Sequence, residues 1–505
     1  EPVWVEVAEE VRHELTDSVI EEAVRRLPDP HYALRGPWLE EALKSRRDAL
    51  PSEALAFYRL ISRAPDVTAT DRDEVAVVEH LPDGGLRLSL TWMEGPRSGS
   101  PYFQRTFRPS VTDEVRLYLK GGDDRVEIQG ESGGILVRAV GGGGDDTFIN
   151  ESEAGARRTR YYDARGDNRF EGQARIDEAP FDPPPATNLV HRHALDWGGL
   201  RRTLPFVTYS PDVGVHLGLL SLWDRYGFRK VPFEAQHRAQ AGVTSVGPEV
   251  VLSWDSRLRT AFQGADALIH IEYSGINILR FHGFGNDTEI RGDTDRYKVR
   301  QQELLFAPGL EWTFGFRAPG EEEAISQFRP NLRLGIGPVL KRASTPMDDN
   351  TDRFIGSLDP LPLGVGTFGQ VGARSWMEID TRDNGAYPTS GVRILAGAAV
   401  FPEAWDVAEA FGHVQGSLAG FFTPDFGGQS PTLVVRVGGK SVFGTYPFHE
   451  AAYIGGEDNV RGFREERFAG DASLFGNLEV RQPISRWSLL FPTEFGVLGA
   501  GFLRG

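Results

Sequence analysis

Arg461 is the residue of this chain whose setting most demands a partner. It sits in Val460-Arg461-Gly462-Phe463, behind the pair Gly455-Gly456, in a stretch that reads as a loop tip. A guanidinium flanked by Val, Gly and Phe is placed to be buried, and a buried guanidinium needs an acceptor. The nearest plausible one is Glu479, a lone inward carboxylate in the strand-like run Leu474-Phe475-Gly476-Asn477-Leu478-Glu479-Val480-Arg481. The competing reading is a surface ion pair with Glu465 or Glu466, which contributes little in water. Either way the chemistry on offer is electrostatic anchoring.

Two further constellations carry charge at turns. In Asp380-Thr381-Arg382-Asp383-Asn384-Gly385, followed by Pro388 and Gly391, the proline and glycine set a tight turn between strands, and Asp380, Arg382 and Asp383 neutralise one another. Gly121-Gly122-Asp123-Asp124 returns as Gly143-Gly144-Asp145-Asp146 and again as Arg165-Gly166-Asp167-Asn168, with Asp123, Asp145 and Asp167 spaced 22 and 22. A fixed period with an apolar residue three places after each Asp predicts a short β-solenoid in which Val126, Phe148 and Phe170 stack. The stacked Asp123, Asp145 and Asp167 are either calcium ligands or turn residues that bond their own backbone. Calcium is the one cofactor these residues suggest.

Signals for catalysis are poor. Gly438-Gly439-Lys440-Ser441 ends like a phosphate-binding loop, but Val434 stands where the first glycine belongs and the context is a strand. His191 and His193 bracket an arginine with no third ligand in view, which reads as a surface pair. The residues present are expected not to form an enzyme, leaving open what an upstream module would do.

The elements that must position these groups fall into four stretches. Residues 1–110 read as a small α+β module, with a strand at Val3–Val7, helices after Thr16-Asp17 and around Leu39, a third starting at Pro51, and strands at Val75–His80 and Leu86–Trp92. That order, β-α-α-β-β, is that of a POTRA module. Residues 111–178 hold the repeat of period 22, and 179–188 form a Pro-rich linker. From 189 to 505 the chain reads almost wholly as β, with thirteen or so segments of about ten residues between turn signals. One is Leu332-Arg333-Leu334-Gly335-Ile336-Gly337, apolar on one face only. The chain has no apolar run of the roughly 18 residues a membrane helix needs. A net charge of −17 argues against nucleic acid as a partner, and the absence of cysteine excludes disulfides and thiolate metal sites.

The Val460–Phe463 tip with Glu479 resembles the BamA/TamA superfamily of outer-membrane assembly barrels, also called bacterial surface antigen barrels. There a VRGF-type loop tip folds into the barrel lumen and pairs with acidic wall residues. The Asp380–Gly391 stretch resembles a periplasmic turn signature of the same barrels, and Phe281-His282-Gly283-Phe284-Gly285-Asn286-Asp287-Thr288 resembles a loop of some relatives. A Gly-Gly-Asp-Asp strip precedes the barrel in some of them. The resemblance implies a mainly β protein, with an antiparallel transmembrane β-barrel of the sixteen-stranded type behind the solenoid and α+β module. It implies Arg461 as luminal anchor, Gly462 as the point of close backbone approach, Phe463 packed on the wall and Glu479 as wall acceptor. It further implies a Gram-negative outer membrane, a periplasmic N-terminal part, the lipid bilayer and unfolded or exported polypeptides as partners, and a role in inserting or translocating polypeptides. Two other roles stay open: an anchor or exporter for an upstream phosphoesterase-like module, and a passive pore or lipid conduit. The ends at Glu1 and Phe502-Leu503-Arg504-Gly505 suggest a piece of a longer chain, with the barrel incomplete at its C-terminus.

Overall fold

The computed structural model describes residues 2–95, 99–131, 134–178, 181, 196–246, 249–262, 264–315, 331–425, 430–488 and 494–503. It divides into two units, Glu1–Asp182 and Pro183–Gly505. Most of the expected linker at 179–188, and both His191 and His193, lie outside the described residues.

The first unit opens with three helices, α1 (Pro2–Glu14), α2 (Asp17–Arg25) and α3 (Asp29–Ile61). The strand expected over Val3–Val7 is therefore helical. Its valines alternate, but Val3, Val7 and Val11 also recur every four residues, and Trp4 packs at 5.9 Å on the rings of both Phe57 and Tyr58 of α3. Thr16 caps α2 by accepting from the Val19 amide. The third helix expected at Pro51 is the second half of α3, which runs through Pro37 and Pro51; each proline removes one donor while the flanking turns persist. Three helices ahead of the first strand rule out the β-α-α-β-β order of a POTRA module.

Eleven strands follow among the described residues. They are β1 (Asp66–Thr68), β2 (Glu74–His80), β3 (Leu86–Trp92), β4 (Phe103–Phe107), β5 (Glu114–Gly121), β6 (Arg125–Gly130), β7 (Leu136–Gly143), β8 (Thr147–Asn150), β9 (Thr159–Tyr162), β10 (Arg169–Gly172) and β11 (Arg175–Asp177), with a short helix α4 (Gly155–Arg158) before β9. One parallel sheet runs β1-β5-β7-β9-β11; the other runs β10-β8-β6-β2 in parallel and adds β3 and β4 antiparallel. Since β1 pairs β5 and β2 pairs β6, the boundary expected at residue 110 falls inside this stack. Val126, Phe148 and Phe170 are register partners, and the Phe148 and Phe170 rings stack at 5.3 Å. They join Leu88, Leu117, Ile128 and Tyr161 in a core sealed from solvent.

The second unit is one antiparallel sheet. Its strands are β12 (Gly199–Ser210), β13 (Gly214–Gly227), β14 (Lys230–Thr244), β15 (Val250–Phe262), β16 (Ala265–Arg280), β17 (Lys298–Phe306), β18 (Gly309–Gly315), β19 (Asn331–Thr345), β20 (Gly366–Asp380), β21 (Gly391–Phe401), β22 (Phe411–Phe422), β23 (Thr432–Gly444), β24 (Ala472–Ser488) and β25 (Glu494–Leu503). They follow in chain order, except that β17 and β18 both lie between β16 and β19. These two are halves of one wall strand, parted at Ala307-Pro308, where proline has no amide to give the ladder. Sequence reading finds thirteen of the fourteen. It misses β12, which carries Pro205 and pairs with β13 at the end of the strand order; an edge is where a sheet tolerates proline.

Runs of alternate residues on these strands are large apolar side chains left exposed: Val215, Leu217 and Leu219 on β13, Val250, Leu252 and Trp254 on β15, Leu433, Val435 and Val437 on β23. The alternate positions carry charge, as Arg436 and Lys440 do on β23. An apolar outer face with a polar inner one is the pattern of a sheet solvated by hydrocarbon.

The Gly-Asp-Asp turns of the first unit are wired between rungs. Gly122, Gly144 and Gly166 have φ of +112°, +120° and +85°. A Cβ on Gly144 would lie 2.0 Å from the Gly122 carbonyl oxygen, so only glycine fits there. Asp123 Oδ1 accepts from the Asp145 amide at 2.9 Å, and Asp145 Oδ1 from the Asp167 amide at 2.8 Å. A second ladder runs the other way: Asp146 Oδ1 accepts from the Asp124 amide and Asn168 Oδ1 from the Asp146 amide, both at 2.9 Å. The Asp123 and Asp145 carboxylates thus each serve the next rung, Asp167 giving its amide to Asp145, and among the described residues no three acidic or histidine side chains converge as metal ligands.

Burial pushes the Asp124 carboxyl up to about 7. Burial, then a hydrogen bond shared with Asp163, pushes Asp146 upward too. A carboxyl raised on folding adds stability that is complete below about pH 4, its unfolded value, and lost as pH rises through the folded value. Amide protection in β6–β8, corrected for intrinsic exchange, is expected to fall between pH 5 and pH 9. Asp146→Asn, which copies Asn168, should flatten that fall; an unchanged profile would contradict the assignment.

Candidate functional site

The segment between β23 and β24, residues 445–471, is the longest connection within the described part of the sheet and lies against its inner face. It reaches strands that are not neighbours. Phe448, fully buried, packs with Leu279 of β16, Val299 of β17, Phe281 and Ile355, while its own root is β23, six places from β16 in the strand order. Phe448 lies only four residues beyond the end of β23 at Gly444, at most about 14 Å of chain against roughly 29 Å for six strand spacings in a flat sheet, so the sheet curls, the strands form a barrel wall and the segment lies inside.

Its first anchor is Glu450, in the turn Phe448–Glu450. Glu450 Oε1 lies 3.1 Å from Lys341 Nζ and accepts from Gln370 Nε2 at 2.9 Å. Lys341 also stands 3.3 Å from Glu303. From the root strand, Lys440 Nζ donates to the Glu450 and Ala451 carbonyls at 2.9 and 3.3 Å. Three wall strands, β19, β20 and β23, thereby hold one loop carboxylate and its backbone, with Glu303 of β17 bracing Lys341. Glu450 is only 6 % exposed, so its charge depends on these partners.

A second anchor ties the returning half of the loop to the end of β16. The Arg280 amide donates to Glu466 Oε2 at 2.7 Å, and Arg280 Nη1 reaches Glu465 at 3.1 Å. The Arg280 guanidinium also pairs with Asp212, which Lys298 joins at 2.8 Å. Next along the loop, Arg467 donates to the Thr288 hydroxyl at 2.7 Å and to the Thr288 carbonyl, and Gly285 N bonds Ala469 O at 2.8 Å. The Phe281–Thr288 stretch is therefore the seat on which residues 465–469 rest.

Arg461 is the third contact and the slightest. Its Nη1 is 3.5 Å from Glu479 Oε2 and its Nε donates to the Glu457 carbonyl at 3.2 Å, but the side chain is 47 % exposed. Glu479 makes its shorter bond, 2.6 Å, to Arg481 of its own strand. The expected pairing of Arg461 with Glu479 is present at the edge of hydrogen-bond range; the expected burial is not. Gly462 is exposed, and Phe463, 51 % exposed, meets Phe468 of the loop edge-on rather than the wall. Val460 closes the tip turn by accepting from the Phe463 amide. The tip is held by its own backbone, with Asn459 Oδ1 capping the Gly455 and Val460 amides at 2.7 Å. The alternative partners of Arg461, Glu465 and Glu466, turn instead to Arg280.

The Asp380–Gly391 turn is local. Arg382 grips Asp380 through two bonds of 2.8 and 2.7 Å. Asp383 adds an electrostatic interaction with Arg382, and its Oδ1 accepts from the Thr389 and Ser390 amides and so closes the turn. Pro388 is buried, and Gly391 sits at φ +99° with the Thr381 carbonyl 2.3 Å from where a Cβ would be.

Residues 321–496 match the Omp85 superfamily domain. No curated protein matches the chain. Among solved structures, BamA from Haemophilus ducreyi lacking POTRA domains 1–3 aligns at TM-score 0.39 and 12 % identity, over 64 % of this chain and 57 % of that one. This chain thus spans little more than half of that structure's length.

The geometry ranks the anchors. Glu450→Ala leaves Lys341 short of a partner in a closed space and is expected to lower stability by about 3 kcal/mol. Arg461→Ala breaks a half-exposed contact and should cost under about 1 kcal/mol. Urea unfolding in detergent micelles reads both, and the reverse order would refute the ranking.

Proposed function

We propose that this chain, an outer-membrane β-barrel of the Omp85 superfamily, acts on polypeptides, inserting them into or passing them across a Gram-negative outer membrane. The observation that carries the reading is the loop at 445–471, docked inside a wall whose outer face is apolar. A docked loop props the wall from within and keeps the interior from being a plain open channel. The work then falls to the seam of the wall, which β12 borders on one side, where an incoming strand can add by main-chain hydrogen bonding. The partners on this reading are the bilayer and unfolded or exported chains, with the first unit on the periplasmic side.

Reconstitution tests it. An unfolded outer-membrane barrel protein offered to liposomes containing this chain should fold faster than with empty liposomes, by about tenfold or more, a barrier change of roughly 1.4 kcal/mol. Glu450→Ala, which frees the loop, should lose most of that acceleration while raising ion conductance. Conductance without any effect on client folding would point to a passive pore and sink the proposal.

A further inference from the structure

On the sheet β1-β5-β7-β9-β11, Arg116, Arg138, Arg160 and Arg175 are register partners on four successive strands. The first three are spaced by 22, the same period as the Gly-Asp turns. Their neighbours Val115, Leu117, Val137, Ala139 and Tyr161 point into the core, so the arginines line the opposite, outer face. Like charges set opposite one another roughly 4.8 Å apart destabilise a sheet unless an anion stands between them.

Between Arg116 and Arg138 the chain provides that anion. Glu114 Oε1 accepts from Arg116 Nε at 2.6 Å and its Oε2 from Arg138 Nε at 2.8 Å, one carboxylate bridging two rungs. One rung further the bridge is missing. The register partner of Glu114 is Leu136, and 22 residues beyond Leu136 stands Arg158. Among the described residues Arg160 makes no hydrogen bond or ion pair, and its Nε is shut off from solvent with no acceptor. Arg175 is exposed beside it, and the nearest acid on that face is Asp177, the register partner of Tyr162.

We propose that Arg160 and Arg175 bind a phosphate-class dianion one rung beyond the pair that Glu114 bridges, with Arg138, held by Glu114 and the Tyr162 hydroxyl, bordering the site. The guanidinium forks of adjacent rungs suit a tetrahedral oxyanion whose oxygens reach both. Two arginines without a carboxylate bridge favour a doubly charged group over a monocarboxylate. Inorganic phosphate and a phosphomonoester lipid headgroup share this chemistry.

The test uses the full chain in phosphatidylcholine nanodiscs and calorimetry with inorganic phosphate, with dihexanoyl phosphatidic acid and with acetate. At least one phosphate ligand should bind tenfold or more tightly than acetate. Binding of inorganic phosphate identifies a soluble anion as sufficient; binding of the lipid alone identifies a headgroup. Arg160→Gln should weaken the interaction at least tenfold. Leu136→Glu, which restores the missing bridge from within, should do the same without lowering the melting temperature, a result that damage to the fold would not produce. No preference for phosphate over acetate, or wild-type affinity in both variants, overturns the proposal.

Discussion

A carboxylate closed off from water must find cations, and Glu450 finds them only because the sheet curls. Lys341 comes from β19 and Lys440 from β23, with Gln370 of β20 completing the set. Taken singly these are costly residues to bury. Brought together they fix the position of a loop that would otherwise have no reason to lie inside. Phe448 beside them contributes apolar packing, but packing against a smooth wall tolerates sliding. The charge cluster sets where along the wall the loop stops.

The wall itself obeys a simpler constraint. Its strands show apolar side chains outward and charged or small ones inward, so the interior is the place where charges can be paired. That division explains why the loop is rich in acids (Glu450, Glu465, Glu466) while the strands facing it supply Lys341, Lys440 and Arg280. The tip with Arg461 lies at the far end of this arrangement. Arg461 contributes a contact there, with the two acidic anchors holding the loop's root and its return.

The parallel stack of the first unit meets the same requirement by repetition. Each turn's aspartate or asparagine bonds the amide of an adjacent rung, and each glycine lets the next carbonyl approach. Where the repeat is complete, charge is balanced rung by rung, as Glu114 does for Arg116 and Arg138. Where the repeat drifts, at Leu136, the balance fails, and that local failure marks Arg160 out.

Features governed by neighbours in the chain were legible from the residues alone. Period-two alternation and the turn residues located thirteen strands of the wall, the 22-residue period placed Val126, Phe148 and Phe170 in register, and Asp380 to Gly391 formed a self-contained turn. Where two periods fitted one stretch, as at Val3–Val7, or a proline masked an edge strand, as in β12, local pattern misled. The luminal anchors were beyond its reach. Lys341 and Glu450 lie more than a hundred residues apart, Arg280 and Glu466 are 186 apart, and nothing in either member's surroundings names the other. Burial made a partner obligatory for each of these charges; the curvature of the sheet chose which one it received.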